Sequence, residues 1–181
     1  MNHFQITWQH RCLISSLLIV LLLAMACSTT ATGPLTEEML KNAEYQGIYR
    51  EPVQLQDGTY EGEPFVEGSA SRPTVTFVEP YAAGDLDGDG QDDAVVLLVE
   101  NSGGSGSFVY LAAVLNREGV PANVATQLLG DRAQVQSLAI AGGQVTLKLL
   151  THGPDDAMCC PTQEVEQTYE LQGNTLVQTT G

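Results

Sequence analysis

The sequence predicts a mainly β protein: an antiparallel twisted sheet or sandwich of about eight to ten strands, with one short N-terminal helix. Two observations carry this. Short runs rich in Val, Leu, Ile and Thr recur at close spacing, several of them alternating with polar residues. Turn dipeptides separate them: Asp57-Gly58, Gly142-Gly143 and Gly173-Asn174.

The elements follow in order. "TEEMLKNA" (36 to 43) fits a short helix, with Thr36 as N-cap and acidic residues in the first turn. "EPVQLQDGTYEGE" places Asp57-Gly58 between short alternating runs and predicts a hairpin. "PTVTFVEP" (73 to 80) alternates and is bounded by prolines. "DAVVLLVEN" (93 to 101) is almost continuously apolar, so it is expected as a central strand covered on both faces. "FVYLAAVLNR" (108 to 117) follows a Gly/Ser loop and reads as a second apolar strand. "NVATQLLG", "VQSLAIAGG" and "QVTLKLL" continue the series. "EVEQTYELQGNTLVQT" closes it as a hairpin turning at Gly173-Asn174. No repeat points to a solenoid or a propeller.

The first residues are of a different kind. "MNHFQITWQHRC" precedes "LISSLLIVLLLAMA", an apolar run of export-signal length that ends in small residues before Cys27. The stretch "LLAMAC" resembles a bacterial lipobox, although Ala24 stands where Leu is commoner. That resemblance implies cleavage before Cys27 and a diacylglycerol on its thiol. Each buried methylene of such a chain contributes ~0.8 kcal/mol to membrane binding. The expected organisation is a lipoprotein signal peptide over 1–26, a tether over 27–35 and a single β-rich domain over 36–181. Export to the cell envelope follows. Ser28 rather than Asp after the cysteine leans toward the outer membrane in a Gram-negative cell.

Charge limits the partners. The chain has 22 acidic residues against seven basic ones. Arg11 leaves with the leader, so six basic residues remain and the mature charge is −16. No clustered Lys and Arg are present to hold phosphates, so nucleic acid is excluded as a partner. A polybasic attachment to anionic lipid is excluded for the same reason. The membrane is met through the anchor, and any protein or glycan partner is left unidentified.

Much of the acid is concentrated in "DLDGDGQDD" (85 to 93), five aspartates in nine residues. Calcium takes six to eight oxygens at loose geometry, and alternate side chains of a short loop can supply them. Asp85, Asp87 and Asp89 stand at positions 1, 3 and 5, Gly90 at 6, the Gln91 carbonyl at 7 and Asp93 at 9. A divalent cation would offset the repulsion among these carboxylates. The bland alternative is a polar turn, since Asp-Gly pairs turn well without metal. Position 12 is Val96, so a full EF-hand is excluded. The spacing instead resembles the calcium loops of FG-GAP repeats and the first half of a dockerin loop. That likeness implies Ca²⁺ held by Asp85, Asp87, Asp89, Gln91 and Asp93, in a structural role.

"THGPDDAMCCPT" (151 to 162) gathers His152, Asp155, Asp156, Cys159 and Cys160. Three readings stand. One is a vicinal disulfide between Cys159 and Cys160, favoured by an oxidising compartment but short for a disulfide, with Cα atoms ~3.8 Å apart. Another is a thiolate and imidazole metal site, although adjacent cysteines chelate less naturally than a C-x-x-C pair. The third is a plain Gly/Pro-rich turn. The leader, "GDLDGDGQDDAVV" and "HGPDDAMCCPT" together resemble a family of bacterial lipoproteins and secreted proteins that share a calcium-like loop and a Cys-Cys-Pro-Thr/Ser segment. No activity or substrate follows from that resemblance.

No catalytic set is legible. "ENSGGSGSFVY" lacks the Gly-Lys-Ser/Thr of a phosphate loop, and G-x-S-x-G and H-E-x-x-H are absent. The expected function is a membrane-anchored envelope protein with one structural calcium loop, acting as a binding or structural module. A redox or metal-handling protein centred on Cys159-Cys160 is the alternative.

Overall fold

A computed structural model describes residues 33–68 and 70–180. The expected signal peptide and the lipidation site Cys27 lie outside the described residues. The described residues form one compact unit. It is mainly β, as the sequence predicts, with every strand pair antiparallel.

Helix α1 (Glu37–Lys41) is short and well capped. The Thr36 hydroxyl accepts from the Met39 N–H at 3.3 Å, satisfying one of the unpaired donors of the first turn. Glu37 and Glu38 sit at its positive end, and Lys41 at its negative end pairs with Glu37. Leu40 points inward and is fully buried. Gly33 and Leu35, ahead of the helix, already belong to the packed domain. Leu35 is buried, and the Gly33 carbonyl accepts from Asn116 Nδ2 at 3.1 Å.

Strands β1 (Glu44–Tyr45) and β2 (Val53–Gln54) form a two-residue ribbon. The Asp57-Gly58 turn forms as expected, with both residues at positive φ (50° and 84°). Its arms part, however. Gln56 and Thr59 bridge across the turn, β2 pairs with β1, and β3 (Thr59–Glu61) joins the main sheet instead.

That sheet has the order β3-β4-β5-β6-β7, with β4 (Thr74–Gly84), β5 (Asp93–Asn101), β6 (Phe108–Arg117) and β7 (Val120–Asp131). The second sheet has the order β11-β10-β9-β8, with β8 (Gln134–Ala141), β9 (Gln144–Thr151), β10 (Gln163–Gln172) and β11 (Thr175–Thr180). Eight strands are six residues or longer, and three more are short pieces.

One expectation is corrected in β4. The bounding Pro80 does not stop the strand, which runs on to Gly84. The register shifts between Val78 and Ala82, and the cis Glu79–Pro80 bond lies inside that irregularity. Proline has no N–H to give the ladder, and a bulge removes the demand for one.

Strands β5 and β6 begin and end where the sequence places them. Alternate residues of β5 serve two cores. Val95 and Leu97 meet Val145, Leu147 and Leu149 of the second sheet. Val96 and Leu98 meet Leu40, Tyr45, Val53 and Leu55, which cover the other face. Burying each such side chain contributes about 1.5–3 kcal/mol, so the near-continuous apolar run reflects two interfaces rather than one.

The two sheets touch at an edge where Gly84 of β4 faces Ile140 of β8. A Cβ at Gly84 would stand 2.9 Å from Ile140 Cγ2 and 3.0 Å from its Cβ. Gly84→Ala is therefore expected to destabilise the domain by about 1–3 kcal/mol, the usual cost of overpacking. Ile140→Ala in the same chain should restore part of it. Urea unfolding of the two single variants and the double variant gives the coupling, and simple additivity would show that the sheets do not meet there.

Candidate metal centre

The loop between β4 and β5 holds the aspartates. Its backbone is shaped by its own carboxylates. Asp85 accepts from Gly88 N–H (2.7 Å) and Gly90 N–H (3.0 Å), one on each oxygen. Asp87 accepts from Asp89 N–H (3.2 Å), and Asp89 from Gln91 N–H (2.8 Å). The bonds of Asp87 and Asp89, two residues on, are Asx turns, in which a short acidic side chain replaces a backbone acceptor, and Asp85 closes the wider loop around them. Gly90 has a φ of 84°, a left-handed conformation that a residue with a Cβ adopts at a cost. The position-6 expectation is met at the level of backbone geometry.

The turns wind the side chains of Asp85, Asp87 and Asp89 toward one another. One carboxylate oxygen from each lies within 4.8 Å of the other two. Among the described residues this is the one group of His, Cys, Asp or Glu ligand atoms that converges in this way. Two ligands of a calcium ion lie at most twice the metal–oxygen distance apart, roughly 5 Å. The spread of the three oxygens fits that limit. Asp87 and Asp89 are exposed and Asp85 is half-buried, so an ion would have a direct path from solvent.

The other two expected ligands stand differently. Asp93, the first residue of β5, is 1 % exposed. Its Oδ2 accepts from Leu86 N–H at 2.9 Å and its Oδ1 from Asn116 N–H at 2.8 Å. Burial pushes its carboxyl above the usual range, those two bonds pull it back, and the charges of Asp87 and Asp89 push it up again; the net direction is upward. Asp93 thus staples the loop start to the end of β6. Gln91 gives its amide N–H₂ to Asp89 Oδ2 at 3.1 Å, and its own Oε1 is buried without a hydrogen-bond partner. With Asp89 able only to accept, the amide orientation is set, so an oxygen acceptor is left beside the carboxylate cluster.

Two residues at this site have no signal in a ligand-spacing motif. Arg117 Nη1 lies 3.2 Å from Asp87 Oδ2 and brings a positive charge to the rim of the cluster. Asn116 donates to the Asp92 carbonyl (3.3 Å) and accepts from Gly119 N–H (2.7 Å), which fixes the β6–β7 turn against the loop. The pattern "NREG" after an apolar strand marks a turn, but not what the turn touches.

The second loop, between β9 and β10, is organised by Asp156. Its carboxylate accepts from Gly153 N–H (2.8 Å), Thr162 N–H (2.7 Å) and the Thr162 hydroxyl (2.7 Å). The Gly153 bond first, then the two from Thr162, hold its carboxyl below the usual range. Cys159 and Cys160 are exposed and joined to each other, with Cα atoms 3.8 Å apart. His152 Nε2 lies 3.1 Å from the Met158 carbonyl. Asp155 is exposed on the surface of the turn.

Comparison with protein-family models, curated proteins and solved structures finds no match for the chain.

Two outcomes follow from these hydrogen bonds. Asp93→Asn keeps one acceptor but turns an amide N–H₂ toward either Leu86 N–H or Asn116 N–H. It should cost about 1–3 kcal/mol in chemical denaturation, the penalty of an unsatisfied buried donor; an unchanged midpoint would contradict the staple. For Asp156 the folded-state pKa is depressed. Its contribution is present above the ordinary carboxylate pKa of about 3.9 and is lost as the pH falls through the lower folded value. The amide resonances of Gly153 and Thr162 should therefore titrate together with a midpoint below about 3.9, and a midpoint above it would refute the bonding scheme.

Proposed function

We propose that the chain is an exported, lipid-anchored envelope protein whose β domain holds one structural calcium ion in the Asp85–Asp93 loop. The domain works as a binding or structural module. The observation that carries the ion is the convergence of the Asp85, Asp87 and Asp89 carboxylates. The side-chain Oε1 of Gln91, a different oxygen from the main-chain carbonyl expected at position 7, is also buried without a hydrogen-bond partner. A buried acceptor without a partner costs about 1–3 kcal/mol, and a cation or its water would remove that cost.

The ion would join the start of β5, already held by Asp93, to the loop that enters it. Magnesium fits less well, because it demands a tight octahedron and keeps its waters. Affinity is expected on the order of 10⁻⁵ to 10⁻³ M, as in extracellular modules. The anchor rests on the sequence "LLAMAC" before Cys27. The kinship to lipoproteins with a calcium-like loop and a Cys-Cys-Pro-Thr segment is part of the same proposal.

A second reading has one observation in its favour: the bonded Cys159–Cys160 pair is exposed. A redox role would require the pair to be reduced by an external dithiol, giving two thiols. A thiol count before and after a mild dithiol separates the readings, since a purely structural pair should resist it.

Thermal melting tests the ion. At a hundredfold excess over its Kd, a ligand bound only by the folded state stabilises it by about 2.7 kcal/mol. Calcium added after EDTA should raise Tm by about 5–10 °C, and Asp87→Ala should abolish the rise. Arg117→Gln should tighten calcium binding several-fold, because its guanidinium competes for Asp87. No shift at tens of millimolar calcium, well above the weakest expected Kd, would reduce the loop to a solvated turn.

A further inference from the structure

The opposite end of β5 carries a second, unrelated constellation. Glu100 lies seven residues beyond Asp93, roughly 23 Å along the strand, and is 3 % exposed. Its hydrogen bonds come from two neutral hydroxyls, those of Tyr49 (2.8 Å) and Ser102. It has no ion pair among the described residues. A buried carboxylate without an ion-pair partner is uncommon, because burial favours paired charges.

In front of it lies an open groove of about 340 Å³ walled by Tyr49, Tyr60 and Phe65. The rings are not stacked. Tyr49 and Tyr60 have centroids 6.5 Å apart at 49°, and Tyr49 and Phe65 6.2 Å apart at 76°. Phe65 is 67 % exposed, with its ring set at a steep angle to that of Tyr49. Glu51 and Glu63 also line the groove. The groove also has Arg50, while the nearby Arg72 is occupied by Glu61 and Glu63.

We propose that this groove binds a quaternary ammonium group. Rings set at steep angles surround a compact cation with several negative π faces, whereas a sugar ring needs one flat, open platform. Donation of the Tyr49 hydroxyl to Glu100 makes the Tyr49 ring more electron-rich, which strengthens its attraction for a cation. Glu100 behind the wall adds an attraction that a neutral ligand would not feel, whereas Glu51 and Glu63 are exposed and Glu63 already pairs with Arg72, so they add little. The site stands apart from the aspartate loop and does not depend on what that loop binds.

The test is a titration of choline with the purified full chain, followed by proton NMR of the N-methyl signal. Aromatic walls should move that signal upfield in a saturable way. The neutral isostere 3,3-dimethylbutan-1-ol, which has the same shape without the charge, should bind at least about tenfold more weakly. Phe65→Ala should weaken choline binding by about three- to tenfold and leave Tm unchanged, because Phe65 is exposed. Displacement of choline by phosphatidylcholine vesicles would identify a lipid head group as the source, and persistence of its signal a free solute; both uphold the site. Equal shifts from the neutral isostere, no saturable shift, or unchanged binding in Phe65→Ala would each overturn it.

Discussion

The domain depends on β5 being buried on both faces while remaining in one register. A strand with one polar face cannot slip by a residue, because every side chain would change sides. Here both faces are apolar, and exchanging Val95 and Leu97 for Val96 and Leu98 would cost little by pattern alone. The ends settle the matter. Asp93 needs the N–H groups of Leu86 and Asn116, and Glu100 needs the hydroxyls of Tyr49 and Ser102. A slip of one residue would carry Asp93 away from the Leu86 and Asn116 donors and Glu100 away from the Tyr49 hydroxyl, although Ser102 would move with it. Two buried charges thus hold a strand that hydrophobicity leaves ambiguous.

The same two charges place the two candidate sites. The aspartate loop runs directly into Asp93, so its carboxylates are presented from a rigid strand end rather than from a free loop. The aromatic groove is backed by Glu100 through Tyr49, so at least one of its walls is fixed to the core. Sites held by a packed element lose less entropy on binding than sites on mobile segments. The β9–β10 loop has no such tie to β5. Its order comes from Asp156 and Thr162, within the loop itself.

Local order was legible because it is written locally. The Thr36 cap, the Gly142-Gly143 and Gly173-Asn174 turns and the bounds of β5 and β6 all follow from residues within a few positions of one another. The convergence of Asp85, Asp87 and Asp89 is of the same kind, since alternate positions in a tight loop point to one side. The extension of β4 past Pro80 was not legible, because proline ends a strand only where a neighbour demands its N–H. A bulge set by pairing with β5 removes that demand.

By itself, then, the sequence determined the class of fold, the turns, and which carboxylates share a loop, because backbone propensity and side-chain alternation act over a few residues. Only the tertiary structure decided that Asp93 turns inward, that Arg117 meets Asp87, and that Tyr49, Tyr60 and Phe65 enclose a groove before Glu100. Those contacts join residues far apart in sequence, 51 positions for Tyr49 and Glu100 and 30 for Arg117 and Asp87. They exist because one sheet order and one strand register bring Arg117 and Asp87 to the start of β5 and Tyr49 to its far end, and no local pattern encodes that order.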